Sequence, residues 1–336
     1  MKDYEPRIVI PAGGKGCISI EDGLLNLTPN VISVTGVHDS GGHSGLLRIE
    51  EGVLPPGDAT HRIGIHIRDK EGDVGKLAGF RWNGNSSLKG HRPLTELLAA
   101  AEIITGSHSG GVKLLEKAFA AHYVGRVIPI SDDNVHIRAR MEDGSYLEGE
   151  TNIDTREINT PAITDIEFIP QPPRANPEVL EIINGLTPKD AILIPPSDLW
   201  TSLVPILKTP GLAEAIRQSR SPLLWFCNAS TKFAETNGYT ARKFAHVIVG
   251  ILGRPIDHAF VNEPDHDFPP TYARIGSYPV INDLAGCSLA NKIHRGNFTR
   301  IEIEQGQAHQ LKVVRHNSEV CAQAILDVLT PKVFAS

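Results

Sequence analysis

The sequence predicts an α/β protein built on a Rossmann-like, mostly parallel sheet with helices on both faces and a β-rich insertion. Three observations carry that expectation. First, short apolar runs end in glycine-rich turns: RIVIPA leads into GGKG, and VISVTGV leads into HDSGG. Runs of this length without polar alternation suit strands buried on both faces. Second, the strand-like AILIPP, LLWFCNA and HAFVNE alternate with the helically spaced NPEVLEIING, GLAEAIRQSR, TARKFAHVIVGIL and SEVCAQAILDVL. Such alternation lays helices against parallel strands. Third, positions 126–170 change character. There RVIPIS, VHIRARMEDGSYLEGE and ITDIEFIP alternate around the turn pair Asp143-Gly144, the pattern of antiparallel strands. This stretch is expected to be an insertion within one large domain spanning residues 1–336. A second hairpin is expected in FTRIEIEQGQAHQLKVVRH, turning near Gly306. The short QPPRANP segment reads either as a boundary or as the lead into the next helix.

Bulk properties narrow the function classes. At 336 residues the chain is long enough to bury a sizeable core. With 40% hydrophobic and 21% charged residues it has the composition of a soluble globular protein, and no apolar run approaches the roughly 20 residues of a membrane helix. The opening MKDYEPRIVIPAGG lacks the apolar stretch of a secretory signal, so a cytoplasmic location is expected. Cys17, Cys227, Cys287 and Cys321 are scattered, which argues against a disulfide framework and against a thiolate zinc site. A net charge of −6 with no Lys/Arg block gives no general attraction to nucleic acid, so any bound anion needs a local site. No nucleic-acid or membrane partner is expected, and a homodimer stays open.

The segment GVHDSGGHSGLLRIEEGVLPPGDATH follows a strand, where open α/β sheets bind ligands. Gly41, Gly42 and Gly45 allow a sharp turn that aims backbone N–H groups at one object, and a helix starting near Ser44 adds its positive end. The natural guest is a phosphate or diphosphate. Asp39 then holds a divalent cation or accepts a proton; the plain alternative is a turn in which Asp39 makes an Asx hydrogen bond. Gly13, Gly14 and Lys15 of GGKG form a second candidate phosphate loop or a structural turn with an exposed lysine.

Other residues carry weaker signals. His91 precedes a helical run and either reaches a phosphate or is solvated. His38, His43 and His61 share a loop region without the i, i+4 spacing of a zinc pair, so zinc is not expected. Asp265, His266 and Asp267 read as a solvated loop. SHSGG does not match a nucleophile elbow and Cys17 has no evident base, so hydrolase chemistry is not expected. Ser197, Asp198, Thr201 and Ser202 follow one buried strand, and Asn228, Ser230, Thr231 and Lys232 follow another. These hydroxyls suit phosphates and Asn228 suits a base or sugar edge, while helix capping by Ser197, Asp198 or Thr231 explains the same residue types equally well.

In order along nearly the whole chain, these segments resemble the family that joins the 2-phospho-L-lactate transferases (CofD-type) with the gluconeogenesis factors (YvcK-type). DSGGHSGLLR resembles the family's DDGGSSGxLR, VLPPGD its LPPGD, KGHRPLTELLAA its GHxxGNLLLAA, and LEGE its short GE segment. SDLWTSLVPIL, CNASTKFAETNGYT and VVRHNSEVCAQAIL resemble GSLYTSxxPxLL, CNxMTQxGETxGYT and RHDxxxLAxxIL. The CN…ET-GYT stretch and the SGG turn are nearer the gluconeogenesis factors. Carried over, Asp39 is matched to the second aspartate of the DD pair, with His38 in place of the first. Asn228 is matched to the CN asparagine, and Gly41, Gly42, His91, Thr201, Ser202 and Thr231 also match. GGGTG becomes GGKG, the GN becomes Leu94-Thr95, GPGS becomes Pro195-Pro196-Ser197 before Asp198, and MTQ becomes Ser230-Thr231-Lys232.

The resemblance implies a nucleotide-linked ligand at the strand ends. In the transferase branch a nucleotide-diphospho-lactyl donor reacts with a deazaflavin alcohol with Mg²⁺; the other branch binds a UDP-sugar and is regarded as regulatory. The expectation is therefore a transferase acting at a phosphoester or diphosphate of a nucleotide conjugate, with Mg²⁺ as cofactor. Asp39 is its metal ligand or base, and Lys15 or Lys232 stabilises phosphate charge. A UDP-type conjugate is favoured over a GDP-type one. The rival is a non-catalytic nucleotide-sugar sensor.

Overall fold

The computed structural model describes residues 5–157, 160–305 and 310–330. The first half of the chain forms β1 (Ile8–Pro11), α1 (Ile18–Leu27), β2 (Val31–Thr35), α2 (Gly42–Glu50), α3 (Gly57–His66), α4 (Asp73–Gly79), α5 (Pro93–Thr105), α6 (His108–Ala118), β3 (Arg126–Pro129), β4 (His136–Met141), β5 (Tyr146–Glu148), α7 (Glu150–Asp154) and β6 (Ile163–Ile169). The second half forms α8 (Pro177–Asn184), β7 (Ala191–Ile194), α9 (Val204–Lys208), α10 (Leu212–Gln218), β8 (Leu223–Phe226), α11 (Ala241–Leu252), β9 (Ile256–Asn262), α12 (Pro270–Arg274), β10 (Ala290–Gly296), β11 (Thr299–Gln305), β12 (Gln310–His316) and α13 (Ser318–Leu329).

Seven parallel strands make the central sheet in the order β3-β2-β1-β7-β8-β9-β10. Every residue of β1, β7 and β8 is buried, which is why those segments read as unbroken apolar runs. Alternate side chains serve opposite faces. Ile8 and Ile10 pack with Ile20 and Leu24 of α1 and Cys321 and Ile325 of α13. Val9 joins the larger core shared with Ile183 of α8, Ile216 of α10 and Phe244 of α11. A third cluster packs α3, α5 and α6 over Val127 of β3. Strand order reverses between β1 and β7, so the loops that follow these two strands diverge and open a crevice.

The stretch 126–170 divides in the structure. β3 joins the parallel sheet beside β2, and only β5-β4-β6 form the antiparallel insertion. RVIPIS is the last strand on that side of the main sheet because its Val127 and Ile128 are buried between helices, a demand that periodicity alone does not distinguish from insertion. The Asp143-Gly144 pair makes the hairpin turn: Asp143 Oδ1 accepts from Ser145 N–H and Oγ, and Gly144 has φ 84°. β11 and β12 pair antiparallel, as the second hairpin expectation held, while its turn near Gly306 lies outside the described residues. β10 went unanticipated; its sequence ANKIHRG is largely polar because it forms a sheet edge. Among the described residues no helix is long and apolar enough to cross a membrane.

A candidate phosphate cleft with an acidic floor and a basic wall

A cleft of about 1250 Å³ opens where the loops after β1, β2, β7 and β8 meet α3, α7 and the segment before α5. Its floor is acidic. Asp39 leaves the end of β2, Asp58 lies in the first turn of α3, and Glu150 opens α7. The insertion hairpin delivers Glu150: β5 ends at Glu148 and Gly149, at φ 88°, turns the chain into α7. The Asp39 and Glu150 carboxyl groups hydrogen-bond each other, and Glu150 Oε2 also accepts from Ser40 N–H at 3.4 Å. Burial first, and then the charge of Asp39, push the Glu150 carboxyl up to about 8. Burial also raises Asp58 to about 6, with Arg62 opposing and Asp39 reinforcing the shift.

Beneath the floor lies a buried polar chain. Asp58 Oδ1 accepts the Gly14 N–H at 2.8 Å, and Arg62, fully buried in α3, approaches Asp58 and Glu21 Oε1 at 3.9 and 3.5 Å. Ser33 Oγ donates to Glu21 Oε2 at 3.1 Å and meets His66 Nε2 at 3.0 Å, and His66 Nδ1 lies 2.6 Å from Val124 O. The chain ties α1, β2 and α3 together and holds Asp58 in place, because each buried polar group needs a partner.

On the β7–β8 side, Lys232 gathers carboxylates from three segments. Its Nζ pairs with Asp154, lies 2.9 Å from Asp198 Oδ2 and lies 3.3 Å from Glu235 Oε2. Burial would lower the Lys232 pKa, but Glu235 and Asp198 outweigh it and hold the ammonium above its ordinary range. Glu235 is almost fully buried, and its Oε1 accepts the N–H groups of Trp200 and Thr201 at 2.6 and 3.2 Å.

Across the cleft the wall is basic. Lys15, His61, Arg81 and Arg92 line it, together with the stacked rings of His43 and His91, whose centroids lie 3.7 Å apart. Burial and then the charges of Arg92, Lys15, Arg62 and Arg81 bring His61 down to about 3. Between floor and wall, α2 begins at Gly42, two residues earlier than expected. Its first N–H groups have no intrahelical acceptor and carry the positive end of the helix. Gly42 sits at φ 51°, a left-handed conformation that a β-branched residue resists. Gly45 serves close approach instead: a Cβ there would lie 2.1 Å from Ser40 O, and its N–H bonds to Gly41 O inside the helix.

Most of the sequence-predicted site residues line this cleft: Asp39, Gly14, Lys15, Gly41, Gly42, His91, Ser197, Asn228, Thr231 and Lys232. Gly13, Thr201 and Ser202 do not: Gly13, in the loop after β1, packs against Ser202, and Thr201 is buried. Several lining groups are already engaged. Asp39 Oδ1 accepts the Gly41 N–H at 3.0 Å, so the Asx turn is real and occupies one carboxylate oxygen. Ser197 Oγ donates to Gly13 O at 2.8 Å and Asn228 Nδ2 donates to Ser197 O at 2.8 Å, which stitches the loops after β1, β7 and β8 together. Thr231 Oγ1 accepts the Tyr278 N–H at 2.9 Å. Helix capping is not what Ser197, Asp198 and Thr231 do.

One further expectation needs correction. His38 does not replace a cleft aspartate: it is 4% exposed, with its ring hydrogen-bonded to the backbone of Thr201 and Ser202. Matched residue by residue, DSGGHSGLLR puts Asp39 on the first aspartate of DDGGSSGxLR and Ser40 on the second; both lie beside Glu150, Asp39 through its carboxyl group and Ser40 through its backbone N–H. His38, His43 and His61 do not converge either. His43 instead meets His91 and Glu96, with donor atoms all within 4.8 Å, a grouping that could hold a metal ion and that loop spacing could not reveal. The roles of Glu150, Asp58, Glu235, Arg81 and Arg92 were missed. For Glu150, Asp58 and Glu235 a signal existed in the LEGE, VLPPGD and CNASTKFAETNGYT segments; for Arg81 and Arg92, placement depends on contacts across elements distant in sequence.

The comparisons agree with this architecture. A Thermotoga maritima protein provisionally named a gluconeogenesis factor is 33% identical over 322 residues, covering 95% of this chain and 98% of that one. A Halalkalibacterium halodurans protein named gluconeogenesis factor is 29% identical over 327 residues, 96% of each chain. The X-ray structure of a Bacillus halodurans protein matches at TM-score 0.84 and 30% identity, covering 96% of this chain and 100% of that one. A second structure from that organism, described as a member of the UPF0052 family, matches at TM-score 0.81 and 29% identity over 96% and 99% of the two chains. The family model described as 2-phospho-L-lactate transferase CofD matches residues 8–299, which spans β1 through the start of β11, and the chain therefore belongs to the CofD family.

Proposed function

We propose that the protein transfers a phosphorus-containing group from a nucleotide diphosphate conjugate to a hydroxyl acceptor. The observation that carries this reading is the pairing of Asp39 with Glu150 beside the unpaired N–H groups at the start of α2, at the carboxyl ends of the parallel strands. The diphosphate lies against those N–H groups and the positive end of α2. Asp39 takes the proton of the acceptor hydroxyl. The acceptor oxygen bonds to the distal phosphorus as the phosphoanhydride P–O bond breaks, and the nucleoside monophosphate departs with that bond's electron pair.

A divalent cation such as Mg²⁺ fits the donor set. Asp39 and Glu150 bring two half-buried carboxyl groups into contact, and a shared proton or a cation relieves their repulsion. Two carboxylates with oxygen donors alone suit a hard ion that keeps waters and phosphate oxygens in its shell. When bound, the ion neutralises charge developing on the phosphate oxygens. Lys232 takes a different part from the phosphate contact expected of it: engaged by three carboxylates, it positions the loops after β7 and β8, and Lys15 is the freer cation.

A second reading follows from the resemblance to the gluconeogenesis-factor branch, whose name these two relatives carry: a regulatory protein that binds a nucleotide sugar of UDP type without turnover. One experiment separates the two. The purified protein is incubated with UDP-linked and GDP-linked conjugates and hydroxyl acceptors, with and without Mg²⁺, and products are followed by mass spectrometry. Release of a nucleoside monophosphate supports transfer. Thermal stabilisation by UDP-sugars without any product supports the regulatory reading. A calorimetric preference for guanine nucleotides overturns the choice of uridine.

A further inference from the structure

The basic wall holds cationic groups that have no counter-charge. Among the described residues no carboxylate lies within ion-pair distance of Lys15, Arg81 or Arg92. Arg81 gives one hydrogen bond, from Nη1 to Gly90 O at 2.7 Å. Arg92 Nε and His61 Nδ1 are buried without any hydrogen-bond partner, although both belong to residues lining the cleft. Like charges gathered this closely destabilise the protein in the absence of a ligand, and burial together with Arg81 lowers the Arg92 pKa to about 10. A buried guanidinium nitrogen left unpaired costs desolvation energy that only an acceptor recovers.

The four residues arrive from separate places: Lys15 from the loop after β1, His61 from α3, Arg81 from the segment after α4, and Arg92 from the position just before α5. His61, Arg81 and Arg92 fall on none of the fixed letters in the motifs that relate this chain to its family. Two guanidinium forks with a lysine beside them match a tetrahedral oxyanion, because arginine pairs with phosphate oxygens two at a time.

We propose that Lys15, His61, Arg81 and Arg92 form a second oxyanion subsite, which takes a phosphate group separate from the diphosphate held at the start of α2. A ligand completing this cleft therefore carries a phosphate remote from its nucleotide diphosphate, either on the transferred group or on the acceptor. The subsite does not depend on the transferase reading, since the wall attracts an oxyanion whether or not the acidic floor performs chemistry.

The test uses inorganic phosphate as the probe and isothermal titration calorimetry on the full chain. Saturable binding is expected at millimolar concentration or tighter. Arg92→Ala should weaken it at least tenfold and Arg81→Ala at least fivefold, while Gly42→Val, which disturbs the start of α2, should change it less than twofold. Arg81 is exposed, so its variant keeps the test readable if Arg92→Ala, next to the start of α5, folds poorly. Saturating UDP or GDP should leave phosphate affinity unchanged. Absence of saturable phosphate binding, insensitivity to both arginine changes, or displacement of phosphate by the nucleotides each overturns the proposal. If neither nucleotide binds while phosphate binding still responds to Arg81→Ala, the reading of the cleft as a nucleotide-conjugate site fails and the subsite stands. To tell the sources apart, a hydroxyl acceptor bearing a phosphate is compared with one lacking it: an Arg81-dependent gain in affinity assigns the subsite to the acceptor, and no gain assigns it to the transferred group.

Discussion

The two sides of the cleft carry opposite charge and differ in how completely that charge is met. On the acidic side each carboxylate has a partner: Asp39 meets Glu150 and the Gly41 N–H, Asp58 meets Gly14 N–H, and Asp154, Asp198 and Glu235 share Lys232. On the basic side Arg92 Nε and His61 Nδ1 are buried with neither a hydrogen bond nor an ion pair, whereas Asp154 Oδ1 and Glu235 Oε2, which also lack hydrogen bonds, keep their ion pairs with Lys232. A satisfied buried network holds its geometry without a ligand, and an unsatisfied one gains most when a ligand arrives. The acidic side is accordingly built as a pre-formed floor, and the basic side as the surface whose energy is recovered on binding. Changes to the first should cost stability or turnover; changes to the second should cost affinity.

The largest effect is expected where the floor's charge balance rests on one group. Lys232→Met removes the cation shared by three carboxylates, one of them nearly fully buried, and should lower stability by ~2–4 kcal/mol. Urea unfolding measures this; a midpoint equal to wild type would show that the floor does not rest on Lys232. Asp39→Asn comes next. The amide oxygen still accepts the Gly41 N–H, so the turn and the melting temperature should survive, while turnover falls about 10²-fold because charge and basicity are lost. A folded variant with full turnover would reduce Asp39 to its Asx role.

Gly42→Val tests the junction of floor and wall. A residue with a branched Cβ at φ 51° costs ~1–2 kcal/mol in strain and reshapes the start of α2. Nucleotide diphosphate binding should then drop below detection by calorimetry, and retention of wild-type affinity would remove the start of α2 from the site.

The smallest effect concerns acid stability beneath the floor. His66 is brought down to about 4, mainly by burial, with Arg62, Arg68 and Lys70 adding to the shift and the Val124 carbonyl opposing it. A depressed folded pKa means that the unfolded chain binds the proton more readily between about 6.5 and 4, so stability is present above that window and is lost as pH falls through it. His66→Gln should flatten the decline in melting temperature from pH 6.5 to 4 by a few degrees. An identical decline in the variant would place the acid sensitivity in other buried groups, His38 and His316 among them, which are likewise brought down to about 4.

The floor was legible in sequence where it coincides with a strand end followed by glycine. Asp39, Gly41 and Gly42 fall within four chain positions, so local spacing was enough to group them. Lys232 was legible as a cation beyond β8, and yet its phosphate role was not, since its three carboxylates come from α7, the loop after β7 and its own loop. The wall was the least legible part. Arg81 and Arg92 sit among polar residues that look like solvated loop, and nothing local separates a solvated arginine from one turned into a cleft.

The sequence alone determined the types of the buried strands and of the amphipathic helices between them, because burial on both faces demands unbroken apolar runs and helical packing demands a 3.6-residue period. It also determined which strand ends carry glycine. Tertiary structure alone decided the assignment of β3 to the parallel sheet, the polar edge strand β10, and the delivery of Glu150 to Asp39 by the insertion hairpin. The physical reason is the same throughout: periodicity reports how each segment meets the core, whereas pairing of charges across a cleft depends on which segments the fold brings together, and no local pattern encodes that.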